Sequence, residues 1–139
     1  MQKIVCSLSR RKENFLHRGL GAYNAAKYGK KFHPKIKSFG YYMYENRVLV
    51  GGIYGTIDEG NWVYIDLLFV DEAHRGKDIA TKLWARAEEW CKAHGCTGIR
   101  TTTWEFQALG FYEKMGLTVY GVLEDHPIGA KDYYVKKKF

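Results

Sequence analysis

Cysteine is scarce in this chain. Cys6, Cys91 and Cys96 are odd in number and fit neither a disulfide framework nor a metal-ligand spacing. Cys91 falls inside an amphipathic helical pattern and reads as a small core residue. The five histidines, His17, His33, His74, His94 and His126, are scattered with no pair at ligand spacing, so no metal is expected. Both prolines, Pro34 and Pro127, fall in loops. No apolar run approaches the length of a membrane span, and the first residues lack the apolar stretch of a signal peptide, so the cytoplasm is the expected compartment and no membrane is expected as a partner. Repeats, low-complexity tracts and linkers are also missing. Residues 1–139 are therefore expected to form one domain.

What is present is a globular composition, 46% apolar and 27% charged, with a net charge of +7. Such a balance suits an anionic partner: nucleic acid, a membrane surface or a phosphate-bearing cofactor. The charge is spread in small clusters. Lys30, Lys31, Lys35 and Lys37 form one and Lys136–Lys138 another, and both read as solvated surface. Eleven tyrosines could stack on bases, but burial in a small core is the commoner use, and nucleic-acid binding rests on these two features alone.

Along the chain, residues 3–8 read as a strand. Leu16, Leu20, Tyr23 and Ala26 then share a helical face, with Gly29 as its stop. Residues 30–37 read as a mobile basic loop. Two aromatic and β-branched runs, 38–44 and 48–55, flank the turn at Glu45–Arg47 as a hairpin, and Gly51–Gly52 suggests a bulge or a close backbone approach. A strand ends at Val70. Ile79, Leu83, Trp84, Ala87, Trp90 and Cys91 mark one face of the clearest helix, closed by Gly95. Residues 97–104 are β-branched and follow a helical crossover, so they should run parallel to the preceding strand. A short helix at 107–115 and strands at 117–123 and 132–135 complete an α+β fold with a mixed sheet.

The centre of this pattern is Tyr64–Leu83: a continuous apolar strand, a basic turn with Arg75, Gly76 and Lys77, and the start of a helix. Free N–H groups and the helix dipole make such a turn a receptor for an anion, and a cofactor pyrophosphate is the natural occupant.

These residues resemble the GNAT superfamily of acyl-CoA-dependent N-acetyltransferases. Arg75-Gly76-Lys77-Asp78-Ile79-Ala80 matches the family's turn, and Phe111-Tyr112-Glu113-Lys114-Met115-Gly116-Leu117 its second landmark; Gly19–Asn24 and Leu123–Pro127 look like one bacterial branch. The resemblance covers essentially the whole chain. It implies two parallel strands that splay at their C-terminal ends, with acetyl-CoA in the gap and no metal. The pantetheine arm would pair with the edge at Leu68, Phe69 and Val70, and the pyrophosphate would sit on the turn formed by Arg75, Gly76, Lys77, Asp78, Ile79, Ala80 and Thr81. Tyr112 would protonate the leaving thiolate. Tyr23, Trp104, Glu105 and Glu124 are expected on the acceptor side. The acceptor would be a small-molecule or peptide amine attacking directly in a ternary complex.

Asp78 departs from the family pattern, which has glycine there. A side chain and a negative charge now stand beside the expected phosphates, while an aspartate at a helix start can also cap it. The base for the acceptor amine stays open. Asp66, sharing by alternation a strand face with Tyr64, Leu68 and Val70 in an apolar run, is the catalytic candidate, beside Glu105, Glu124 and Asp125. Asp58, Glu59, Glu124 and Asp125 would suit a cationic acceptor. The alternative reading is a non-catalytic CoA-binding module of the same fold. Exposed strand edges leave a homodimer open.

Overall fold

A computed structural model of the chain describes residues 1–29, 37–58 and 60–139. The chain divides into two compact units, Met1–Pro34 and Lys35–Phe139. The first unit holds α1 (Arg10–Tyr28), which closes on Gly29 at φ 60° as the sequence predicts. Residues 3–8 lie outside any helix or strand. Their apolar alternation is a preference only, and a strand exists where a ladder satisfies its backbone. The basic loop expected at 30–37 falls, up to residue 36, outside the described residues.

The second unit is built on a six-stranded mixed sheet in the order β1-β2-β3-β4-β6-β5. Its strands are β1 (Ser38–Glu45), β2 (Val48–Ile57), β3 (Trp62–Val70), β4 (Gly98–Trp104), β5 (Thr118–Leu123) and β6 (Asp132–Lys138). β1 and β2 form the expected hairpin; Asn46 and Arg47 both take positive φ at its tip, as a two-residue turn matched to strand twist requires. β3 and β4 are parallel, joined through α2 (Ile79–Ala93). β6 inserts between β4 and β5, antiparallel to both.

One sheet face carries the core. Val50, Ile53, Val63, Ile65, Ile99 and Val135 pack against Leu83, Trp84, Ala87 and Cys91 of α2. Burying each such side chain contributes about 1.5–3 kcal/mol. α3 (Leu109–Lys114) packs on the same core through Phe111 and Tyr112, whose rings meet Trp84 edge-on. Lys137 corrects the reading of its cluster as solvated. Alternation turns it to this face, where its Nζ donates to Glu88 at 2.7 Å and to the Met115 carbonyl at 3.1 Å. Glu88 also accepts from the Trp84 indole at 2.8 Å. Burial pushes the Glu88 carboxyl up, but these donors outweigh it and hold the group below its ordinary value.

Candidate active site

β3 and β4 are paired only from Trp62↔Gly98 to Tyr64↔Arg100. Beyond that point β3 stays with β2 as far as Gly51↔Val70, and β4 stays with β6 as far as Trp104↔Asp132. Each strand is held by its outer neighbour, so a gap opens between them. Two contacts fix its apex. The Thr101 hydroxyl donates to the Ile65 carbonyl at 2.8 Å, and the Tyr64 and Thr102 hydroxyls meet at 3.1 Å.

A bulge contributes to the opening. The β2–β3 register passes from Gly55↔Ile65 to Tyr54↔Leu67, which leaves Asp66 unpaired. A bulge bends its strand and resets the alternation. Val63 and Ile65 point into the core before it, Val70 after it. This corrects the face assigned to Asp66: it stays beside Tyr64 on the face opposite the core, while Leu68 and Val70 turn to the core after the bulge, and its setting is not apolar. Asp66 is exposed and accepts a hydrogen bond from Thr56 at 3.0 Å.

The same register decides which backbone groups face the gap. The Asp71 N–H donates to the Val50 carbonyl of β2 at 2.8 Å. By strand alternation Phe69 also faces β2, while Leu68 and Val70 face the gap. The expected pantetheine edge is thus corrected at Phe69. The Val70 carbonyl is already taken, accepting from Arg75 Nε at 3.0 Å. The Arg75 guanidinium lies 5.9 Å from the Phe69 ring centroid, folded back onto the strand end.

The turn follows a short 3-10 segment, Glu72–His74. Gly76 has φ 77°, a backbone open to glycine at little cost. The Lys82 N–H donates to the Asp78 carbonyl at 3.0 Å, so the amides of Ile79, Ala80 and Thr81 precede the helical ladder. Glu45, at the tip of the first hairpin, braces this turn through His74 at 2.9 Å and Lys77 at 3.4 Å. The His74 hydrogen bond holds the Glu45 carboxyl below its ordinary value. Asp78 sits at φ 58°, ψ 20°, in left-handed backbone, and its side chain makes no capping bond. The capping role foreseen for it is absent; what remains is an exposed charge at the helix start.

The other wall of the gap is β4 and α3. The Thr103 hydroxyl accepts the Ala108 N–H at 3.2 Å and so seats the entry to α3. Tyr112 is the one α3 residue that is buried. Burial, with a smaller contribution from Tyr64, pushes its hydroxyl up to about 12. At neutral pH it is a proton donor. Burial likewise pushes the Cys91 thiol up to about 12 and Cys96 upward, which rules out thiolate nucleophiles there.

On the sheet face opposite the core, a polar cleft of about 230 Å³ borders the gap, with Tyr64, Asp66, Thr102, Trp104, His126 and Asp132 in its lining. Trp104, expected on the acceptor side, lines this cleft. Glu105 is engaged elsewhere: it exchanges hydrogen bonds with the Lys131 backbone. Asp125 accepts the Gly129 N–H at 3.2 Å, and Glu124 is exposed and does not line the cleft. Asp58 is removed from the acceptor candidates, because Arg100 Nη2 holds it at 2.9 Å and the Gly60 and Trp62 amides donate to it. Glu59 lies outside the described residues. Tyr23 lies on α1, in the first unit, with Lys27 Nζ 5.8 Å from its ring centroid. Among the described residues no group of three or more His, Cys, Asp or Glu gathers to hold a metal, and no helix is long and apolar enough to cross a membrane.

The pair that sequence spacing does not mark is His126 and Asp132. His126 Nδ1 lies 2.9 Å from Asp132 Oδ2. Asp132 is 3% exposed, and its Oδ1 has no hydrogen-bond partner among the described residues. The available signal was an acid opening an otherwise aromatic and β-branched strand, a position that burial makes costly unless the charge is used.

The profile of the acetyltransferase (GNAT) family matches residues 9–117. A blasticidin-S acetyltransferase of Streptomyces morookaense is 36% identical over 68% of this chain and 69% of its own length. An acetyltransferase of Agrobacterium fabrum is 36% identical over 86% of this chain and 85% of its own. Among solved structures, an acetyltransferase from Bacillus cereus superposes with a TM-score of 0.89 at 27% identity, covering 99% of this chain and 98% of that one. With the profile matching residues 9–117 and a relative 36% identical over 86% of it, the chain belongs to the acetyltransferase (GNAT) family.

Proposed function

We propose that this chain transfers an acetyl group from acetyl-CoA to a primary amine by direct attack in a ternary complex. The observation that carries the reading is the parting of β3 and β4 beyond Tyr64 and Arg100, with unpaired edge groups on one wall and a buried tyrosine on the other. The residues fit the cosubstrate. Leu68 offers backbone groups to an extended pantetheine arm as an added strand would. The amides of Ile79, Ala80 and Thr81 are available to a pyrophosphate. Asp78 opposes it by charge, so the expected affinity is reduced. An Arabidopsis Naa50 structure, 25% identical over 72% of this chain with a TM-score of 0.64, holds a CoA-peptide bisubstrate analogue, which supports acyl-CoA as the donor.

Tyr112 donates its proton to the CoA thiolate as the C–S bond breaks. Direct transfer needs no acyl-enzyme, in keeping with the two buried, protonated thiols. On the acceptor side, Asp66 and Asp132 give the cleft negative charge and Trp104 offers an aromatic face. Together they suit a cationic amine. Blasticidin S is the named acceptor of one relative, which makes a polar, positively charged amine the class to test first. A second reading, a CoA-binding module without turnover, is favoured by Asp78 alone.

The test is calorimetry with acetyl-CoA, followed by thiol release against blasticidin S, an aminoglycoside, a streptothricin and spermidine. Binding with amine-dependent thiol release supports acetyl transfer. Binding without release from any amine favours the module, and no binding overturns both.

A further inference from the structure

We infer that His126, held by Asp132, is the group that takes the proton from the attacking amine. The inference deepens the acetyl-transfer reading and rests on it. The starting observation is the buried carboxylate. Asp132 Oδ1 is sealed from water with no partner, and Oδ2 has the His126 ring at 2.9 Å. A carboxylate accepts and does not donate, so His126 Nδ1 carries the hydrogen and Nε2 presents a lone pair. The His126 side chain is 57% exposed while the Asp132 side chain is 5% exposed. The ring thus stands between a buried charge and the cleft, with its basic nitrogen on the far side from Asp132. Asp132 fixes the tautomer and the orientation of the ring.

The two faces of the sheet complete the argument. Tyr112 packs against Trp84 on the core face. The His126–Asp132 pair lines the cleft on the opposite face, beside Tyr64 and Thr102 at the apex of the gap. Donor and acceptor of protons therefore flank the gap from opposite sides. The amine adds to a face of the thioester carbonyl and the thiolate leaves from the tetrahedral carbon so formed, so the base at the nitrogen and the acid at the sulfur stand at different positions around it. The ammonium gives one proton to His126 Nε2 and attacks as the neutral amine. The C–N bond forms and the C–S bond breaks. Tyr112 protonates the thiolate and is reprotonated by the second proton leaving the nitrogen. His126 returns its proton to water, so one proton is released per turnover. Asp66 is left with orientation of the cation, and Asp132 is a positioning residue.

The test uses the full chain with acetyl-CoA and whichever amine of the panel supports thiol release. His126→Gln and His126→Ala should lower kcat about 10²- to 10⁴-fold while the KM for acetyl-CoA stays within about threefold, and imidazole should restore part of the His126→Ala rate. Asp132→Asn should lower kcat with no rescue by imidazole, and circular dichroism verifies its fold. Asp66→Asn should raise the KM of the amine more than it lowers kcat. A His126→Gln rate within about threefold of the parent, or a loss confined to Asp66→Asn, overturns the inference and leaves acetyl transfer standing. A parent enzyme that binds acetyl-CoA and acetylates no amine overturns both.

Discussion

The Thr101 hydroxyl donates to the Ile65 carbonyl at 2.8 Å, across the point where two parallel strands stop pairing. Thr101 is 3% exposed and Ile65 2%. The side chain therefore takes over the function of a ladder bond where the backbone can no longer reach. Thr101→Val keeps the volume and leaves the carbonyl unsatisfied, which should cost about 1–3 kcal/mol in denaturant unfolding. Thr101→Ser keeps the donor and should cost less. Equal losses in the two variants would mean that methyl packing, not the hydrogen bond, closes the apex.

Tyr112→Phe separates packing from chemistry. The ring meets Trp84 at a centroid distance of 5.7 Å and Phe111 at 5.5 Å, contacts that phenylalanine retains. Stability should change by less than about 1 kcal/mol, and acetyl-CoA affinity by calorimetry should be unchanged. Turnover should fall about 10²-fold or more, because the thiolate loses its proton donor. A variant as fast as the parent would transfer that role to water.

These two sites differ in how far the sequence discloses them. The motif that carries the resemblance places Tyr112 on a short helix, and α3 holds it there, buried. The α2 face and the parallel β3–β4 pair were legible because period and crossover are local rules. Alternation groups Asp66 with Leu68 and Val70, but one unpaired residue inverts it and turns those two to the core, and nothing in the apolar run Tyr64–Val70 marks where the bulge falls. Phe69 is expected on the pantetheine edge from the resemblance, but adjacent residues turn their backbone groups to opposite sides, so it cannot share that edge with Leu68 and Val70. Lys137 looked like one of three solvated lysines until the pairing of β6 with β4 turned it toward Glu88. His126 meets Asp132 because the loop between them folds back, its ends tied by the His126 N–H to the Ala130 carbonyl at 3.1 Å. Such contacts arise from tertiary closure, which pattern reading does not contain.

Alkaline stability should report on the core beneath the gap. Burial holds both the Cys91 thiol and the Tyr112 hydroxyl at about 12, above their ordinary values of 9.0 and 10.0. The unfolded chain releases these protons first. Stability contributed by the protonated groups is full below pH 9 and falls as pH rises toward 12. The denaturant midpoint should therefore drop between pH 8 and pH 11. The decline should be shallower in the Cys91→Ala, Tyr112→Phe double variant. Parallel pH curves for parent and double variant would assign the decline to other groups.

Asp78 is where backbone and electrostatics point the same way. Its φ of 58° and ψ of 20° are left-handed, a conformation that costs a residue with a side chain about 1–2 kcal/mol relative to glycine. No capping bond offsets that cost. The charge also stands where the macrodipole invites a phosphate, and Lys77, which could screen it, is directed to Glu45 at 3.4 Å. Asp78→Gly should therefore raise the unfolding free energy by about 0.5–1 kcal/mol, the strain relieved less the added freedom of glycine in the unfolded chain. The same change should tighten acetyl-CoA about 5- to 30-fold, equivalent to about 1–2 kcal/mol of removed repulsion. Asp78→Asn divides the two effects: it removes the charge and keeps the backbone tolerable, so it should recover most of the affinity and little of the stability. If calorimetry finds both variants binding like the parent, the pyrophosphate does not rest on this turn.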